Sequence, residues 1–167
     1  MNWDIKEIHN YNEYMQKYSI HSLLAKIFAQ REYNEQDVQG HTSKRLIYHD
    51  FSLFLDADLV LDRIQEALEN DEKICIYGDY DCDGILSTTI LVQTFLELGK
   101  KVGYHIPNRF EDGYGLNKER VQQMYEKGYS LLITVDNGIK AYEAINLANE
   151  LGIDVIVIDH HDYDELP

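Results

Sequence analysis

Apolar positions along the chain keep two rhythms, and the change falls near residue 70. Before it the spacing is helical. In "IHSLLAKIFAQRE", Leu23, Leu24, Ile27 and Phe28 recur on one stripe. In "LDADLVLDRIQEALEND", Leu55, Leu59, Ile64 and Leu68 do the same up to an Asn70-Asp71 stop. The polar residues 33–44 between them read as a loop. A helical N-terminal segment over residues 1–70, packing on the core of the remaining chain, is the expectation. From Lys73 short apolar runs take over. "KICIY", "KVGYHI", "SLLITV" and "DVIVI" have strand length and are separated by the helical stretches "ILSTTILVQTFLELG", "NKERVQQMYEKG" and "KAYEAINLANELG". Those helices close on Gly99, Gly128 and Gly152, the residue type that most easily takes the left-handed turn after a helix. Buried strands alternating with helices predict an α/β domain over residues 71–167: an open parallel sheet of about four strands with helices on both faces. Right-handed crossovers, and the need to bring the first, third and fourth strand tips together, predict the order 2-1-3-4.

The carboxyl ends of such strands are where open α/β sheets bind ligands, and the unusual residues of this chain gather there. After the first strand, "GDYDCDG" carries Asp79, Asp81 and Asp83. After the third, "TVDNG" carries Asp136 beside an Asn137-Gly138 turn. After the fourth, "VIDHHD" carries Asp159, His160, His161 and Asp162. With neighbouring strands about 5 Å apart, these tips fall within about 10 Å of one another. Each Asp alone also reads as a helix cap or turn former. Like charges this close repel unless something neutralises them, and three such clusters facing one crevice point to a cation. A mixed carboxylate and imidazole set suits Mn2+ or Mg2+. An Asp shared by two ions gives a centre that activates water for phosphoryl chemistry.

Composition changes the picture in two ways. Thirty acidic residues against fifteen basic ones give a formal charge of −15, so a polyanion is not held by bulk charge alone. The two cysteines, Cys75 and Cys82, make no disulfide framework, which favours a reducing cytoplasm. No apolar run approaches a membrane span, and the N-terminus is too polar for a secretory leader.

In this order and spacing, "GDYDCDG", "TVDNG" and "DHH" resemble the first three motifs of the DHH phosphoesterase superfamily. "NRFEDGYGL" and "FLDADLVLDRIQEALENDEKI" are similar to its single-strand-specific 5′→3′ DNA exonucleases. The resemblance implies a metal-dependent phosphodiesterase domain acting on single-stranded DNA in recombination and repair, with two ions in the complete enzyme. It implies that Asp81 and Asp83 are metal ligands, with Asp79 a ligand or a residue supporting one. Asp136 would bridge the ions, His160 would bind one, and His161 would meet the scissile phosphate. Asp136, His160 and His161 are thus the catalytic candidates. Arg109 would hold DNA phosphate, and Gly84 opens a helix whose amides, with Ser87, offer further anion contacts. The superfamily's fourth metal-binding Asp, second subdomain and DNA-binding domain lie downstream of "DHH". The resemblance therefore marks the chain as an N-terminal piece whose catalytic domain is incomplete at its C-terminal side and weak or inactive alone. Its partners are those missing C-terminal domains and, through them, single-stranded DNA. Three alternatives stay open on the residues: a nucleotide phosphodiesterase or pyrophosphatase of the same superfamily, a haloacid-dehalogenase-type phosphatase suggested by "DCDGIL", and a non-catalytic acidic binding module.

Overall fold

The computed structural model describes residues 8–43, 48–108 and 115–167. The chain divides into two compact units, Met1–Leu53 and Phe54–Pro167. Among the described residues, the first holds three α-helices, α1 (Tyr11–Tyr18), α2 (Ser22–Gln30) and α3 (Glu35–Thr42), and a short 3-10 turn at Phe51–Leu53. α3 corrects the expected loop over residues 33–44. It has a single buried apolar residue, Val38, so periodicity does not announce it; a reciprocal cap starts it instead. The Asn34 side chain accepts from the amides of Gln36 and Asp37, while the Asp37 carboxylate accepts from the Asn34 amide. That arrangement satisfies donors a short helix otherwise leaves orphaned. Within the expected α2 stripe, Phe28 is buried with Ala25 and Ala29, whereas Leu23 and Ile27 remain exposed.

The second unit runs α4 (Ala57–Glu69), β1 (Ile74–Tyr77), α5 (Cys82–Glu97), β2 (Gly103–His105), α6 (Lys118–Glu126), β3 (Leu131–Val135), α7 (Tyr142–Glu150) and β4 (Asp154–Ile158). All pairings are parallel and the order is β2-β1-β3-β4, as the alternation predicts. β1 and β3 are buried along their whole length, which explains why they read as unbroken apolar runs. Ile74, Ile76, Ile133 and Val135 pack with Ala67 of α4 and Phe95 of α5. On the opposite face Cys75, Tyr77 and Leu132 pack with Val121 and Met124 of α6 and Ala144 and Ala148 of α7. α4 contributes Val60, Ile64, Ala67 and Leu68 to the first of these faces, with Phe95 of α5. Leu55 and Leu59 of the expected α4 face stay 69% and 67% exposed, so the packed stripe is rotated from the one the leucines alone suggest.

The chain leaves β1 through α5 toward one edge of the sheet and leaves β3 through α7 toward the other. The order therefore reverses between β1 and β3, and that switch point opens a crevice at their carboxyl ends. Register levels the strand tips: Tyr77 pairs with Thr134, and Val135 with Ile158. Among the described residues, no helix is long and apolar enough to cross a membrane.

Candidate metal centre

The first wall of the crevice is built where β1 meets α5. Asp79 is 2% exposed, and its Oδ1 accepts the Tyr80 amide at 2.7 Å. Asp81 caps α5: its Oδ1 accepts the amides of Asp83 (3.0 Å) and Gly84 (3.2 Å). The Gly84 amide is the chief reason the Asp81 carboxyl lies below its ordinary range. The capping role and a role toward a cation are compatible, because a carboxylate has two oxygens and about four lone-pair directions. Gly84 itself is a steric requirement. A Cβ there would stand 2.5 Å from the Asp79 backbone nitrogen and oxygen, so only glycine lets the helix start this close to the strand exit. Ser87 Oγ donates to the carbonyls of Asp83 (2.6 Å) and Gly84 (3.2 Å), inside the first turn.

The second wall is the β3 turn. Asp136 has φ 62°, a left-handed conformation that Asp tolerates better than most residues but that still costs energy. The surroundings hold it there. Its amide donates to Ile158 O at 2.9 Å, and the buried Asn137 donates through Nδ2 to Val135 O (2.9 Å) and Tyr77 O (3.2 Å). Asp136 is 8% exposed. Burial, and then the neighbouring Asp81 carboxylate, push its carboxyl above the usual range, against the pull of His160.

The β4 tip closes the site. His160 Nε2 lies 3.0 Å from Asp136 Oδ1. His161 Nδ1 lies 2.6 Å from Asp159 Oδ1, and that hydrogen bond is the main reason the His161 imidazole is held above its ordinary value. Two groupings result. Asp79, Asp81 and Asp136 each offer an oxygen, and Asp136, His160 and His161 each offer a ligand atom, all within 4.8 Å of one another in each set. Asp136 belongs to both. Of the residues singled out from the sequence, the structure thus brings together Asp79, Asp81, Asp136, His160 and His161. Asp83 sits exposed on the first turn of α5, outside both groupings, with Gly84 and Ser87 following it. Arg109 lies outside the described residues.

Among the described residues, no Lys or Arg forms an ion pair with Asp79, Asp81 or Asp136. Asp79 and Asp136 are buried carboxylates and Asp81 is a third at the rim, a concentration of like charge that a cation would neutralise. Carboxylate oxygens on one side, imidazole nitrogens on the other and a shared aspartate between them fit a pair of Mn2+- or Mg2+-type ions. Beside the groupings lies a cavity of about 210 Å3 between the Gly115-Leu116 turn, the Gly138–Ala141 turn and His161, with Lys140 on its wall. The sequence places Asp159 at the crevice and Asn137 in a turn, but assigns to neither the contacts that the structure shows. The signal for Asp159 is present, since an Asp at the end of a parallel strand immediately before a His pair can reach both imidazole and backbone donors.

The fold and this constellation define a class, and the chain belongs to it. Residues 73–167 match the DHH family, N-terminal domain, so the chain is a member of the DHH family. Its similarity is to proteins called RecJ. The single-stranded-DNA-specific exonuclease RecJ of Bacillus subtilis (strain 168) is 48% identical over 101 residues, 60% of this chain and 13% of that protein. The Dickeya dadantii (strain 3937) exonuclease of the same name is 38% identical over 144 residues, 86% of this chain and 25% of that protein. The chain thus spans between an eighth and a quarter of the length of these curated relatives. Among solved structures, exonuclease RecJ bound to manganese superposes with a TM-score of 0.59 at 40% identity, over 64% of this chain and 27% of that one. RecJ from Thermus thermophilus in complex with Mn2+ gives 0.64 at 26% identity, over 99% of this chain and 23% of that one.

Proposed function

We propose that this chain is the metal-binding part of a RecJ-like exonuclease that degrades single-stranded DNA from its 5′ end, serving recombination and repair in the cytoplasm. The observation that carries the reading is Asp136, an aspartate held in a left-handed turn and common to two ligand groupings. In this reading Asp79 and Asp81 would hold one ion and His160 the other, with Asp136 available to both. Asp83 completes the first set if the α5 turn adjusts on loading. Bound divalent cations supply positive charge that polarises the phosphodiester and brings a water molecule toward hydroxide at neutral pH. The chain's own residues do the positioning. The Asp81 cap and the Gly84 contact fix the first wall, and the Asn137 hydrogen bonds fix the turn bearing Asp136. His161 presents its imidazole to the scissile phosphate, and its raised proton affinity suits an anion-facing role. The cavity beside it, with Lys140 on the wall, receives the adjoining part of the strand. Arg109 and the amide and hydroxyl groups of Gly84 and Ser87 are further phosphate contacts in this proposal.

The relatives are four to eight times longer than the matched region, so we assign the opposite wall of the DNA channel to domains beyond this chain. Without that wall the strand is not held for in-line attack. The test has two arms. Mn2+ should raise the melting temperature of the 167-residue chain while leaving 5′-labelled single-stranded DNA nearly intact. Joined in a chimera to the remaining domains of the Bacillus subtilis relative, the chain should degrade that DNA from the 5′ end and spare duplex. A chain indifferent to Mn2+ would refute the metal centre. A chimera that cleaves pyrophosphate or a cyclic dinucleotide but not DNA would establish the nucleotide-level alternative. The haloacid-dehalogenase alternative is not favoured, since its chemistry makes no use of the His pair on β4.

A further inference from the structure

We propose that Asp159 is a positioning residue: it locks the turn after Asp136 to the His pair and sets the tautomer in which His161 meets the crevice. The proposal rests on the metal-centre reading and deepens it. Asp159 follows the last residue of β4, and its side chain is 2% exposed. Four donors converge on it. Oδ2 accepts the Ile139 amide at 3.0 Å, from the turn that carries Asp136 three residues earlier. Oδ1 accepts the His160 amide at 2.8 Å, the His161 amide at 3.1 Å and His161 Nδ1 at 2.6 Å. Oδ1 thus holds three donors and Oδ2 one, and Asp159 belongs to neither ligand grouping. Its neighbours differ: Asp136 and His160 keep ligand atoms within the groupings. Asp159 therefore acts through other residues.

Two consequences follow from the geometry. Asp159 Oδ1 already accepts two backbone amides, so it is an acceptor in this loop. The His161 nitrogen it meets must then be Nδ1–H. In the neutral ring Nε2 is left bearing the lone pair, the nitrogen able to face a cation, and in the protonated ring the same nitrogen carries the N–H that a phosphate oxygen accepts. The second consequence is mechanical. Asp136 and the His pair sit on different strands, and Asp159 joins their loops through one buried side chain. Groups of this kind typically change metal affinity about 10–100-fold when removed.

The test uses the 167-residue chain, with Mn2+ as the ligand. Long-range proton–nitrogen NMR at a pH where the ring is neutral reports the His161 tautomer, the signal being assigned by its loss in His161→Gln. The parent should show Nδ1–H. Asp159→Ala should move the ring toward the Nε2–H form and raise the Mn2+ dissociation constant about 10–100-fold by calorimetry. Asp159→Asn keeps one oxygen for the three donors on the His side. It should hold the parent tautomer while the Ile139 amide, its acceptor gone, exchanges with solvent at least tenfold faster. A folded Asp159→Ala protein with the parent tautomer, or with the parent Mn2+ affinity, overturns the proposal. Should that variant fail to fold, Asp159→Asn decides: unchanged Ile139 exchange, or a switched tautomer, overturns it. A parent chain that binds no Mn2+ would defeat the metal-centre reading instead, and the tautomer and exchange measurements would still judge Asp159.

Discussion

Adding one methyl group at Gly84 should damage both the fold and the site, by an amount the geometry sets. The new Cβ would lie 2.5 Å from Asp79 N and O and 2.6 Å from Asp79 C. These are backbone atoms at the exit of β1 and cannot rotate aside. Restoring ordinary contact at 3.4 Å or more requires α5 and the strand exit to separate by about 0.9 Å. Overpacking of this kind costs about 1–3 kcal/mol. At about 2–4 °C per kcal/mol for a chain of this size, Gly84→Ala should melt about 2–12 °C below the parent. The separation also carries Asp81, whose carboxylate caps α5 through the Gly84 amide, away from Asp79. Mn2+ should accordingly bind about tenfold more weakly. The assay is differential scanning fluorimetry with and without Mn2+, paired with calorimetric titration of the metal. A variant melting within about 1 °C of the parent, with unchanged Mn2+ affinity, would refute the steric argument and leave only a phosphate-binding use for this glycine.

Asp136→Asn should stabilise the metal-free protein at neutral pH and remove its response to Mn2+. Folding raises the Asp136 carboxyl above 3.8, first through burial; the group therefore favours folding below pH 3.8 and ceases to as the pH rises through its folded value. The ionised residue is a liability at pH 7, and scanning calorimetry should find the metal-free variant melting above the parent. A less stable metal-free variant would contradict this. For the parent, Mn2+ at about 100 times its dissociation constant adds about 2.7 kcal/mol, a shift of about 5–11 °C. At the other end of the sheet, Arg63 donates to Glu72 (2.7 and 3.2 Å) and Asp154 (2.6 Å), joining α4 to the segments entering β1 and β4. Arg63→Met should cost about 1.5–3 kcal/mol in urea unfolding without changing Mn2+ affinity. Arg63 is also the first reason the Glu72 carboxyl lies below 4.5. That stabilisation is present above pH 4.5 and lost as the pH falls through the lower folded value, so the variant's stability should fall less steeply with acid. An equally steep profile would refute the role of this ion pair.

The sheet was legible because its signals are redundant. Each strand is a short apolar run, each intervening helix ends on glycine, and handed crossovers leave few ways to bring three acidic strand tips together. α3 was hidden because a helix with one buried side chain, Val38, carries almost no periodicity; only the Asn34 and Asp37 pair marks it. The α4 stripe was half right: Ile64 and Leu68 pack on the core, while Leu55 and Leu59 were weighted above Ala67, the small residue that a tight helix–sheet contact prefers. At the site, residue types on strand ends identified Asp79, Asp81, Asp136, His160 and His161 as neighbours. Sequence could not show that Gly84 serves a close backbone approach, or that Asp159 collects four donors. Both depend on where atoms from different segments meet; the Asp-His-His run marks the place of Asp159 along the chain but not its partners.

The central claim is that Asp136 is common to two cation sites at the β1–β3 switch point. Anomalous diffraction from crystals of this chain grown with Mn2+ tests it most directly. The account predicts manganese density in contact with Asp136, one position toward Asp79 and Asp81 and another toward His160, about 3.5–4 Å apart where both are filled. The site lacking further ligands should be the weaker. Manganese density found only away from Asp136, or none at millimolar Mn2+, would contradict it.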